Sequence, residues 1–78
     1  MKQWKPCKRG DFIKKLRALG FGGAYSGTKH QFMVFGQNRL TIPSNSEYSV
    51  SQLKMMLREV EEIIERRIML EEWNNLLK

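Results

Sequence analysis

From Leu53 to Leu77 the chain carries two apolar stripes that one straight helix cannot bury on the same side. Leu53, Met56, Leu57, Val60, Ile63 and Ile64 fall within about 120° of arc at the helical period. Met69, Leu70, Trp73, Leu76 and Leu77 fall on the opposite side of the same ideal helix. A straight helix over residues 50–77 would measure about 42 Å and overhang the rest of the chain. Either the helix breaks near Arg66 to Met69 and the tail folds back, or the second stripe meets another chain. Fold-back is the expected outcome, because a short connection lets Trp73 reach the domain without a second molecule. No Gly or Pro marks the break.

The need to bury both stripes follows from size. Seventy-eight residues form one small domain, read as a core over 8–65 with a helical extension over 66–78. A core of this size rarely supplies more than about 3–5 kcal/mol without a staple or partner. Cys7 is the one cysteine and His30 the one histidine, so neither an internal disulfide nor a four-ligand zinc site is available. No metal or cofactor is expected. Cys7 is read as a free thiol without a functional role, although Lys5, Lys8 and Arg9 nearby are the kind of neighbours that favour a thiolate. The start, "MKQWKPCKRG", is charged without an apolar core and does not read as a signal peptide. No segment approaches the roughly 18 apolar residues of a membrane span. The expectation is a soluble cytoplasmic protein with no membrane partner.

Charge is divided unevenly. Residues 1–58 carry 11 basic and 2 acidic side chains, a balance of +9, and residues 59–78 carry 3 basic and 6 acidic, a balance of −3. A polyanion such as RNA would meet the first part.

The pattern resolves into alternating elements. Asp11 in a first turn and Phe12, Ile13, Leu16 and Leu19 at helical spacing predict a helix over about residues 8–19, stopped by Gly20. "FGGAYSGTK" allows at most a weak strand near residues 23–25. "HQFMVF" reads as a strand, "GQN" as a tight turn, and "RLTIP" as the return strand ending at Pro43. "SNSEY" reads as a polar loop, and Ser49 with Gln52 as a capping box that starts the second helix. The run "EVEEIIERR" suggests a solvated face with an i,i+4 pair between Glu62 and Arg66. Met33, Met55, Met56 and Met69 read as core fillers, and Trp4 and Trp73 as packing residues. Helix, two or three antiparallel strands and helix give an α+β domain of two layers.

By residue chemistry alone, His30 is a histidine at the head of a strand. No Ser, Cys or Asp stands at a triad spacing, and "GTK" is too short for a phosphate-cradling Walker loop.

Four segments, "GDFIKKLRALGF", "GTKHQFM", "RLTIP" and "LKMMLREV", in this order and spacing, resemble the HicA (YcfA-like) family of toxins from toxin–antitoxin pairs. The resemblance covers about residues 8–63, and "GTKHQFM" matches a Gly-Ser/Thr-x-His motif. It implies an α-β-β-β-α fold like the double-stranded-RNA-binding domain, here with an extended C-terminal helical tail. It also implies mRNA interferase (endoribonuclease) activity through a histidine, and neutralisation by a HicB-type antitoxin. Carried over by position, the catalytic histidine is His30, with Gly27 and Thr28 shaping its loop. Imidazole changes protonation near neutral pH and can move a proton in RNA cleavage, while Lys29 can stabilise charge in the transition state. Lys14, Lys15, Arg17, Lys29, Arg39 and Lys54 are the candidate RNA-binding residues. Two other readings stand beside this one: a non-catalytic RNA-binding module, and a protein-interaction domain or homodimer using the C-terminal helix.

Overall fold

A computed structural model describes residues 3–77. The chain runs β1 (Cys7–Lys8), α1 (Arg9–Ala18), β2 (Gly22–Ser26), β3 (Gln31–Phe35), β4 (Asn38–Ile42), β5 (Glu47–Tyr48), α2 (Val50–Ile64) and α3 (Leu70–Asn75). Strands β2, β3 and β4 form an antiparallel sheet in that order. Its inner face, with Met33, Leu40 and Ile42, shares one core with Phe12, Ile13 and Leu16 of α1 and Leu53, Met56, Leu57 and Val60 of α2. An antiparallel sheet can leave its other face to solvent, and this one does. That outer face carries Tyr25, Phe32, Val34, Arg39 and Thr41, none of them buried. The α+β class expected from the sequence is the class observed.

Helix α1 ends as its glycine suggests. Gly20 takes φ +110°, its N–H reaches Arg17 O, and the Phe21 N–H reaches Leu16 O, both at 3.0 Å. These two bonds make a Schellman stop and bring Phe21 into the core over Leu16. Helix α2 starts where expected, with the Ser49 hydroxyl accepting the Gln52 N–H at 3.2 Å. The other half of the capping box, Gln52 Oε1 accepting the Ser49 N–H, is not made; the Gln52 side-chain amide donates to Asn45 Oδ1 at 3.4 Å.

"SNSEY" is more than a polar loop. Glu47 and Tyr48 pair with Lys8 and Cys7 as a second, two-stranded sheet, and the fully buried Tyr48 ring meets Phe12 edge-on at 5.5 Å. Its hydroxyl donates to Pro43 O at 2.7 Å, so the proline that ends β4 also satisfies the buried phenol. A two-residue strand shows no period, which is why sequence pattern misses it.

The long helix breaks. Helix α2 ends at Ile64, Glu65 takes the left-handed conformation at φ 60°, and α3 returns to the domain with Trp73 only 2 % exposed. Trp73 packs on Phe12 with ring centroids 5.7 Å apart. The break moves Arg66 off α2, so the expected pair with Glu62 does not form. Arg66 instead binds both carboxylate oxygens of Glu72, at 2.8 and 2.7 Å. Two of the four methionines read as core fillers lie outside: Met55 is 68 % and Met69 64 % exposed. Met55 follows the stripe only by adjacency to Met56, and Met69 caps α3 before that helix turns inward.

Cys7 is buried beside α1, and burial pushes its thiol above the ordinary value, although Lys15 pulls the other way. The basic neighbours in sequence do not make it a ready thiolate. Among the described residues no helix is long and apolar enough to cross a membrane.

Candidate nucleic-acid interface

The β2–β3 connection, residues 27–30, is closed by the Gly27 N–H donating to His30 O at 3.1 Å. A Cβ on Gly27 would lie 2.5 Å from that carbonyl oxygen. Only glycine lets the two strands close this tightly, so Gly27 fixes where His30 leaves the sheet. Thr28 and Lys29 form the exposed tip, and the His30 side chain is exposed beside them.

An open hollow of about 410 Å³ lies against this turn, lined by Gly27, Thr28, Lys29, His30, Gln31, Phe32, Arg39 and Thr41. It holds one imidazole and two cations and no carboxylate. Arg39 carries its guanidinium 4.4 Å from the centre of the Phe32 ring. The ring beneath a cation stabilises it by roughly 0.5–1 kcal/mol at an exposed site. Tyr25 adds a second ring, 5.7 Å from Phe32 and tilted by 44°.

Tyr25 reaches this face because β2 carries a bulge. Gly22 pairs with Val34 and Tyr25 with Phe32, so two residues of β2, Gly23 and Ala24, stand opposite the single Met33 of β3. The extra residue restores Tyr25 to the side of Phe32, where strict alternation from Gly22 would have turned it toward the core. Gly23 takes φ +115° in the bulge, and a Cβ there would meet Phe32 O at 3.0 Å. Arg17 reaches over from α1 and donates its Nε–H to Gly23 O.

The structure therefore gathers His30, Lys29, Arg39, Gly27 and Thr28, and disperses the other candidates. Arg17 is engaged with the bulge. Lys15 is half-buried with its ammonium 4.8 Å from the Trp73 ring centre, in a separate hollow with Lys5, Asp11 and Glu47. Lys14 is exposed on α1, and Lys54 lines a third hollow with Arg58 and Arg67. Phe32 and Tyr25 are the site residues that sequence reasoning passed over. The alternation of "QFMVF" already set Phe32 opposite the buried Met33; Tyr25 was hidden by the bulge. Among the described residues no three His, Cys, Asp or Glu side chains come together as metal ligands would.

The fold and this hollow define an α+β domain whose open sheet face combines an imidazole, cations and aromatic rings. No family model matches the chain, and neither the curated proteins nor the solved structures include a match to it.

Proposed function

We propose that this chain is a HicA-like toxin: an endoribonuclease that cleaves mRNA in the cytoplasm with His30 and is silenced by a HicB-type antitoxin. The observation that carries the reading is the hollow that the only histidine lines together with Lys29 and Arg39, with no carboxylate on its walls. A phosphodiester is attracted to such a place, and an imidazole there can exchange protons with it. The order α1, β2–β3–β4, α2, with both helices on one face, supports a double-stranded-RNA-binding-domain-like fold, to which β1, β5 and α3 are additions.

In this mechanism neutral His30 takes the proton of a ribose 2′-hydroxyl. The 2′-oxygen bonds to the adjacent phosphorus, the bond to the 5′-oxygen breaks, and that oxygen takes up the proton that the imidazolium returns, directly or through a water molecule, so His30 ends neutral. The products are a 2′,3′-cyclic phosphate and a 5′-hydroxyl end. Lys29 balances the charge that grows on the phosphoryl oxygens. A single imidazole for two proton transfers makes a slow catalyst. The antitoxin covers His30 and the basic hollow with an acidic surface of its own.

The test is incubation of the purified chain with a long unstructured RNA, with end-group analysis of the fragments. Cleavage that disappears in a folded His30→Ala variant supports the reading, and cleavage that survives it removes His30 from the mechanism. Binding to about three to five phosphates should weaken with salt, with a log–log slope of about −2 to −4. Salt-insensitive binding would remove the phosphates.

A further inference from the structure

We infer that the open sheet face is a base-stacking site for single-stranded RNA, with the exposed Tyr25 ring and the Arg39 guanidinium, itself stacked over Phe32, as the surfaces that bases meet. This rests on the RNA reading above and adds what the hollow around His30 cannot supply by itself, a means of holding the strand. Tyr25 is 51 % exposed, an unusual position for a ring in so small a domain. It is there because a bulge, with Gly23 at φ +115°, turns it out beside Phe32. The rings are neighbours on adjacent strands, 5.7 Å apart, and Phe32 itself lines the hollow of His30, Lys29 and Arg39. A nucleotide stacked on this face therefore has its phosphate delivered beside the imidazole.

The chemistry favours an unpaired strand over a duplex. Bases inside a duplex hide their faces in the stack, whereas unpaired bases lay them on aromatic rings or on the plane of an arginine. Arg39 is exposed, lies over Phe32 at 4.4 Å and has no ion pair among the described residues. Its guanidinium is free to stack or to bind phosphate. Charge decides against an acidic peptide as the occupant that explains the rings: it would satisfy the cations and leave Tyr25 and Phe32 unused.

The probe is a 5-iodouridine-substituted single-stranded RNA 12-mer, with its complementary duplex as comparison. Both are bound to the full-length His30→Ala chain so that cleavage does not interfere. The expected result is preference for the single strand by roughly tenfold or more, photo-crosslinks at Tyr25 or Phe32, and loss of about tenfold in affinity in Tyr25→Leu. Tyr25→Trp, which keeps a ring, should retain affinity, separating stacking from a folding defect. Equal or tighter binding of the duplex, with Tyr25→Leu unaffected, would overturn the stacking site and leave RNA binding standing. No binding of either RNA would overturn both readings. A chain that instead dimerises and becomes monomeric on Tyr25→Leu would assign the face to a second copy and overturn the proposal.

Discussion

The carboxylate of Glu61 accepts the backbone N–H of Ile68 at 2.7 Å, seven residues on and across the end of α2. The Glu61 carbonyl also accepts the N–H of Glu65 and that of Arg66, the latter at 3.2 Å. The bond from Glu65 is the last ordinary turn of α2; the other two tie the amides of Arg66 and Ile68, which follow the helix, back to its final turn. Glu61 thus holds the chain reversal at Glu65, where neither glycine nor proline stands.

Glu61→Ala leaves the Ile68 N–H beside a side chain that is only 5 % exposed, so it should cost about 1–3 kcal/mol in denaturant unfolding. Glu61→Gln keeps an acceptor and should cost less. Equal losses for the two would remove the hydrogen bond from the explanation.

Trp73 is where the returning tail meets the core. Trp73→Ala should cost about 3–5 kcal/mol, most of what a domain of this size has. Trp73→Phe should retain a folded chain of lower midpoint temperature. A cost under about 1 kcal/mol for the alanine variant would mean that the tail contributes little to folding.

The Arg66–Glu72 clasp predicts a pH dependence. The hydrogen bonds from Arg66 hold the Glu72 carboxyl below its ordinary range. A group with a lowered folded-state value adds stability above its unfolded value and loses it as pH falls through the folded one. Wild-type stability should therefore decline more steeply than that of Arg66→Gln between about pH 5 and pH 3. The difference should be small and shrink in high salt, because the pair is exposed. Parallel profiles would mean that the clasp carries no stability.

Cys7, raised by burial and 8 % exposed, should react with iodoacetamide far more slowly in the folded chain than in denaturant. Comparable rates in the two states would place the thiol at the surface.

The sequence carried the sheet and the first two helices because their signals are local. Residues 12, 13 and 16 repeat at the helical period, and Ser49 stands ready to cap. The turn at Glu65 rests on Glu61 reaching Ile68, a contact that no pattern announces, so only the incompatibility of the two stripes revealed that something had to give. The site divides in the same way. His30, Lys29 and Gly27 are adjacent in the chain and could be read together, and Arg39 joins them only through the β3–β4 register. Tyr25 needed the bulge to be known. Lys14, Lys15, Arg17 and Lys54 were grouped by charge, which says nothing about direction.

Two glycines make opposite predictions. A Cβ on Gly10 meets nothing within 4 Å, and Gly10 lies in the first turn of α1, so Gly10→Ala should stabilise the chain by up to about 0.5 kcal/mol through helix propensity, less than the full interior value. A Cβ on Gly27 would lie 2.5 Å from His30 O, a backbone atom that can yield only if the turn opens. Gly27→Ala should therefore displace His30 while the core, which the turn does not enter, stays folded. RNA cleavage should fall at least tenfold, since an error of about 1 Å in placing a catalytic group can cost far more than that. Stability should fall by about 0.5–3 kcal/mol, the usual range for a strained backbone position, without unfolding the core. Cleavage and thermal melting measured on both variants give the comparison. Full cleavage by Gly27→Ala would show that the tight turn is not what presents His30.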